Sequence, residues 1–297
     1  MLSKDNLIKL LIQYGINYKN ISDYKIERIV NNGKYFDIVH VLDFLRNELN
    51  IRPKSIEKCP SILYCGVSNI KDNYLFLKRQ GFDVSRIVNC LHVLSCYHDR
   101  LIDTYCYVLE KYGEDIIHDI PSVLGLSVDR IKEIEKASNG RLSKYGVLSV
   151  GLNTTFVGES DERSKFVKSS KDIEEIIDIC EQHNIDYKNG GMIFSVPAKT
   201  IEEIVGVCNE LDIDFHTRSL VFLSSTSEIR KIVDVCLKYG VDYKNGGVIF
   251  SKTAEEIEEI INVCSKCGID YNGGAVFEAD ALNILPIAEL CSEYNID

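Results

Sequence analysis

The chain of 297 residues has no tryptophan, two methionines and only five prolines. So little proline argues against a β-sandwich, whose many turns draw on Gly and Pro. No apolar run reaches the ~18 residues of a membrane-crossing helix, so no membrane partner is expected. The opening MLSKDNLIKLLIQYG is broken by polar residues and has no small-residue cleavage site, so a signal peptide is not expected. A disulfide framework is also missing. The eleven cysteines are odd in number and scattered, which points to reduced thiols and a cytoplasmic setting. The sequence holds no G-x-S-x-G, no P-loop, no dinucleotide fingerprint and no HExxH, and with them goes the usual basis for an enzyme or a cofactor.

What is present is globular composition, 45% hydrophobic and 27% charged. The net charge of −11 counts against indiscriminate adhesion to nucleic acid or anionic lipid. That total conceals an asymmetry. Residues 1–100 carry 15 Lys/Arg and 10 Asp/Glu, net +5; residues 101–168 carry 9 and 11; residues 169–297 carry 10 and 24, net −14. Partners are therefore argued region by region.

Self-similarity decides the fold class. Cys180, Cys208, Cys236 and Cys264 are spaced by 28 residues and Cys291 follows 27 later; Phe166, Phe194, Phe222, Phe250 and Phe277 keep the same intervals. Ahead of each cysteine lies a helical stripe at i, i+3, i+4 and i+7, as in Ile201, Ile204, Val205 and Cys208. The last copy places Pro286 near the start of its helix. After each of the first four cysteines comes a variant of Ile-Asp-Tyr, as in IDYKNGG at 185–191 and VDYKNGG at 241–247. The N-terminal part repeats at 30–31 residues through CPSIL (59–63), CLHVL (90–94) and IPSVL (120–124). The segment 61–83 aligns without gaps on 192–214, setting Leu77 on Cys208 and Phe82-Asp83 on Ile213-Asp214; likewise 11–20 reads like 236–245. The pattern predicts an all-α curved solenoid, right-handed or otherwise, of helical-hairpin repeats, each a main helix, a turn and a shorter helix. Its parts are N-terminal repeats over 1–136, an irregular joint or degenerate repeat over 137–165, and a 28-residue array over 166–297.

The N-terminal units resemble the mitochondrial transcription termination factor (mTERF) family. Pro60, Ile62, Leu63, Ile70, Phe76, Leu77, Gly81 and Phe82 carry the likeness, followed by Val93, Leu94, Leu101, Val108, Leu109 and Gly113, then Pro121, Val123 and Leu124. That resemblance implies a curved helical solenoid holding nucleic acid on a basic concave face. The array is similar to TAL-effector-like repeats, which implies base reading by the turn between helices. Those turns would be Lys168-Ser169, Val196-Pro197, Ser224-Ser225, Lys252-Thr253 and Ala279-Asp280.

Chemistry is weighed against plainer roles. Cys264 and Cys267 form a CxxC with no second pair, and Cys264 already closes a helix stripe, so no metal is expected. Cys90, His92, Cys96 and His98 offer ligand types, but Cys90 repeats the position of Cys59, which has no nearby His; small core residues explain them better. The pairs Glu174-Glu175, Glu202-Glu203 and Glu258-Glu259 recur at one repeat position, as a solvated face does and a single active site does not. The series Tyr187, Phe215, Tyr243, Tyr271 reads as packing between units before it reads as a base-stacking ladder. Lys54, Lys58, Lys71, Lys78, Arg79 and Arg86 are candidate phosphate contacts. The expected function is non-enzymatic binding of DNA or RNA. The alternative is an acidic scaffold that docks a basic protein.

Overall fold

The computed structural model describes residues 2–155, 168–216, 220–271, 275–279 and 281–294. Phe166 and Asp280 lie outside them, as does the side chain of Cys291. The described residues form sixteen α-helices, one π-helical turn (Phe44–Glu48) and several short 3-10 segments, with no strand. The helices are α1 (Lys4–Gln13), α2 (Asp23–Asn32), α3 (Tyr35–Asp43), α4 (Pro53–Lys58), α5 (Val67–Arg79), α6 (Val84–Asn89), α7 (Leu91–Leu94) and α8 (His98–Tyr112). They continue with α9 (Glu114–Asp119), α10 (Val128–Ser138), α11 (Lys144–Thr155), α12 (Ser170–Gln182), α13 (Ala198–Leu211), α14 (Thr226–Tyr239), α15 (Ala254–Cys267) and α16 (Ala281–Tyr294).

The chain divides into two compact units. One comprises Met1–Lys136 with Val147–Lys168; the other comprises Ala137–Gly146 with Ser169–Asp297. The segment read as a joint is thus shared out, its first ten residues going to the second unit.

In the first unit a short helix, a one-turn helix and a long helix recur three times. They are α4, Pro60–Tyr64 and α5; then α6, α7 and α8; then α9, Pro121–Gly125 and α10. The CPSIL, CLHVL and IPSVL segments are the one-turn helices, and their Ile62-Leu63, Val93-Leu94 and Val123-Leu124 pairs are buried. Pro60 and Pro121 open their turns, where a fixed φ suits the helix and no N–H is needed. Buried polar side chains lock α5 and α8 to the next repeat. Asn73 Nδ2 donates to the carbonyls of Leu94 (3.0 Å) and Cys96 (2.7 Å), and Thr104 Oγ1, 31 residues on, donates to that of Leu126 (2.9 Å).

In the second unit a 3-10 turn precedes four of the long helices: Met192–Ser195 before α13, Leu220–Leu223 before α14, Val248–Ser251 before α15 and Ala275–Glu278 before α16. The expected second helix of the hairpin is therefore a single turn of four residues. The reason is length: α13, α14 and α15 each take 14 of the 28 residues, and the returning loop takes most of the rest. Each long helix packs on the following one, and each 3-10 turn on the following turn. The predicted stripes form the core, with Ile173, Ile176, Ile177, Cys180, Ile201, Ile204 and Cys208 wholly buried. Pro286 is the sixth residue of α16 and not in its first turn, so the carbonyl four residues before it lacks its helical donor.

Candidate nucleic-acid interface

The repeated Ile-Asp-Tyr segment links the repeats of the second unit. The amides of Ile185, Ile213, Val241 and Ile269 donate to the carbonyls of Cys180, Cys208, Cys236 and Cys264 at 2.8–2.9 Å. The residue before each amide takes a left-handed φ: 54° at Asn184, 56° at Asp212, 71° at Gly240 and 68° at Gly268. This is the helix-ending motif in which an apolar residue just past the helix meets one in its last turn. It explains why cysteine and Ile/Val recur five apart. The first unit uses the same bond, from Ile16 to Leu11 (2.9 Å) and from Phe82 to Leu77 (3.1 Å), after Gly15 and Gly81 at φ 73° and 82°.

The aspartate that follows builds a ladder. Asp214 Oδ1 accepts from the His216 amide (2.9 Å) and Asp242 Oδ1 from the Lys244 amide (3.0 Å), which shapes each loop into an Asx turn. The carbonyls of His216 and Lys244 then accept from the amides of Asp186 (2.8 Å) and Asp214 (2.6 Å) in the preceding repeat. Ser143 supplies the rung before these, donating its amide to the Lys188 carbonyl at 2.8 Å. Here α11 approaches so closely that a Cβ on Gly146 would lie 2.2 Å from the Lys188 oxygen. Tyr187 and Phe215 are buried beside this ladder, and Tyr243 and Tyr271 are half-buried.

The candidate base-reading turns sit at the starts of the long helices. Ser169 and Thr253 cap α12 and α15 in reciprocal capping boxes with Asp172 and Glu256, and Ser225 caps α14 by accepting from the Glu228 amide. Pro197 holds the same position before α13. Ser224 Oγ donates to the Phe250 carbonyl of the next repeat at 2.9 Å. Lys168 is buried, and Val196 and Lys252 are half-buried. The second residue of each pair, Ser169, Pro197, Ser225 and Thr253, holds the N-cap position, where Ser and Thr supply the capping bond.

The basic candidates of the first unit are all exposed. Lys54 and Lys58 lie one turn apart on α4. On α5, Lys71 and Lys78 lie two turns apart on one face with the exposed Leu75 between them and Arg79 beside. Lys71 Nζ stands 5.1 Å from the centre of the Phe44 ring and Lys78 Nζ 6.0 Å from that of Tyr74; the two rings meet edge to face at 6.4 Å. Arg86 donates to the His118 carbonyl at 2.6 Å.

The cysteines and histidines are drawn into packing. Burial pushes the thiols of Cys180, Cys208 and Cys236 up to about 12 and raises that of Cys264. His92 Nε2 pairs with the Ser122 carbonyl (3.2 Å) and His98 Nδ1 with Asn73 Oδ1 (2.8 Å). Among the described residues, no three His, Cys, Asp or Glu gather where a metal ion would be held. Of the acidic pairs, Glu174, Glu175, Glu202, Glu203 and Glu259 are exposed, and Glu258 accepts from Lys238 (2.7 Å) and Tyr239 (2.9 Å). One cluster gave no sequence signal. The hydroxyls of Tyr107 and Tyr112 and the Lys111 ammonium converge on Glu135, tying α8 to α10. Burial raises the Glu135 carboxyl, but these donors outweigh it and leave it below the ordinary range. Its partners lie 23–28 residues away, so no local motif announces it. Comparison with family models, curated proteins and solved structures finds no match for this chain.

Proposed function

We propose that the chain is a non-enzymatic helical-repeat solenoid of a reducing cytoplasm that binds nucleic acid through the cations of its first unit. The observation that carries the reading is the α5 face. Lys71 and Lys78 project from one side of a single helix, stand near aromatic rings and have Arg79 alongside. Cations about 10 Å apart on one helix face can reach phosphates along one backbone and supply affinity without sequence reading. Lys54, Lys58 and Arg86 extend the positive surface. The resemblance to mTERF-like repeats supports the same ligand class, and the ten described cysteines, none of them in a disulfide, suit the compartment. Lys168 at the end of the first unit, and Ser169, Val196, Pro197, Ser224, Ser225, Lys252 and Thr253 in the second, would be the readers of a TAL-effector-like code. Their capping bonds and the net −14 of residues 169–297 favour a second partner there, a basic protein docked on an acidic surface.

The test is fluorescence anisotropy of labelled DNA and RNA duplexes against the full chain over a range of salt. Changing Lys71, Lys78 and Arg79 together to Gln is expected to flatten the log–log salt slope by up to about 3 units, at roughly 0.9 per lost contact with B-DNA. An unchanged slope with binding intact refutes the placement of phosphates. Binding of a basic peptide with no duplex bound at low salt refutes the nucleic-acid reading and leaves the scaffold.

A further inference from the structure

A groove of about 400 Å³ lies between α1 and the start of α3, lined by Asn6, Lys9, Leu10, Gln13, Tyr35 and Phe36. That volume is within the range of small-molecule sites. Asn6, Lys9, Leu10 and Gln13 fall at i, i+3, i+4 and i+7, so they share one face of α1, and about 10 Å of helix separates the first from the last. Leu10 is buried, whereas Asn6, Lys9 and Gln13 are exposed and offer two carboxamides and an ammonium. The contribution of α3 is aromatic. The Tyr35 and Phe36 rings meet edge to face at 5.8 Å, and Phe36 is 74% exposed. A ring so bare does not serve the core.

This chemistry suits an unpaired nucleobase. A bare ring offers its π face to any base. A carboxamide sets an acceptor beside donors, as a base edge does, which is the basis of bidentate Asn and Gln contacts with adenine. Lys9 supplies a cation for the attached phosphate, and none of the six lining residues is a carboxylate that would repel it. A paired base is stacked on both faces and cannot enter, so the groove selects single strands. The distribution of bare rings argues for the same occupant. Tyr24, Tyr35, Phe36 and Tyr97 are exposed in the first hundred residues, which carry net +5, and Tyr145 is the one other exposed aromatic among the described side chains. Bare rings and positive charge thus fall in the same part of the chain, the combination that holds single strands. The groove also adjoins the phosphate-binding cations. Phe44, the residue after α3 and roughly two helical turns from Phe36, has Lys71 Nζ 5.1 Å from its ring centre.

We infer that the groove between α1 and α3 binds one unpaired nucleotide of a single strand, its base stacked on Phe36, its edge met by Asn6 and Gln13, and its phosphate by Lys9. The slot deepens the proposed nucleic-acid function and rests on it, since the rest of the strand is held by the cations of α5.

The experiment is fluorescence anisotropy of the full chain with labelled DNA and RNA strands of about 15 nucleotides, alone and annealed to their complements. The parent chain is expected to bind the single strands. Phe36→Ala is expected to weaken that binding about five- to a hundredfold, while duplex binding stays within about twofold and the salt slope is unchanged. Phe36→Tyr keeps the ring and is expected to bind as the parent does; Phe36→Leu keeps apolar bulk alone and is expected to lose as much as Phe36→Ala. The inference is overturned by a parent chain that binds only duplexes, by single-strand binding that Phe36→Ala leaves unchanged, by an equal loss with duplexes, or by a Leu variant that binds as the parent does. The two readings fail separately. If changing Lys71, Lys78 and Arg79 to Gln flattens the salt slope while Phe36→Ala has no effect, the phosphate contacts stand and the base slot falls. Binding of neither form by the parent chain overturns both. Circular dichroism checks that each variant is folded. If Phe36→Ala is not, Asn6→Ala with Gln13→Ala replaces it, with a loss again confined to single strands.

Discussion

Replacing Cys236 separates a core role from a ligand role. The thiol is wholly buried, completes the stripe of Ile229, Ile232 and Val233, and its carbonyl receives the Val241 amide that closes α14. Cys236→Ala keeps the backbone bond and deletes one sulfur, little more than a methylene in volume, so about 1 kcal/mol is expected to be lost. Cys236→Asp places a carboxyl at a site whose surroundings are apolar and costs on the order of 3 kcal/mol at neutral pH. The cost depends on pH with a definite sign. Burial raises the new carboxyl's pKa in the folded state, so folding takes up a proton. The variant is then most stable below the ordinary Asp pKa of about 4 and loses stability as pH rises above it. Urea unfolding at pH 4 and pH 7 measures both effects, with the exposed Cys106→Asp as a control within about 0.5 kcal/mol of the parent. If Cys236→Asp unfolds within error of Cys236→Ala at pH 7, the core assignment is wrong.

Alkaline stability tests three of the buried thiols together. Cys180, Cys208 and Cys236 hold their protons up to about 12, above the unfolded value near 8.5. Their contribution is therefore full below that value and falls by about 1.4 kcal/mol per pH unit per thiol as pH rises toward 12. The triple Ala variant should show a shallower decline in its urea midpoint over that window. Asp242→Ala removes the acceptor for the Lys244 amide and should cost about 1 kcal/mol, while Asp242→Asn keeps an oxygen there and should recover most of it. Equal losses in the two would remove the Asx turn from the account.

The all-helical character was legible because the 28-residue interval repeats an i, i+3, i+4, i+7 stripe, and that stripe becomes the core. The form of the short element was not. Met192–Ser195 and Val248–Ser251 are four residues long, too short for periodicity to separate a 3-10 turn from the end of a helix. The role of the Ile-Asp-Tyr loops was also hidden. The pattern was plain, but a ladder from the Asp214 amide to the Lys244 carbonyl joins residues 30 apart through backbone groups, which carry no sequence signature. At the candidate interface, the lysines of α5 could be placed on one face from spacing alone. Lys78 and Tyr74 are an i, i+4 pair within α5, but the approach of Lys71 to Phe44, which follows α3, depends on how that region packs on α5. Ser225 and Thr253 read from sequence as variable residues in a fixed frame; the structure adds that each caps the helix it precedes.

Amide hydrogen exchange at Asp186 and Asp214 tests most directly the claim that each loop is bonded to the next repeat. Both residues lie outside any helix and have exposed side chains. Their amides nevertheless donate to the His216 and Lys244 carbonyls of the following repeat. If the repeats are joined as described, these two amides exchange only with opening of the array and are protected nearly as well as helix amides in α13 and α14. Exchange at the rate of an unstructured loop would contradict the account.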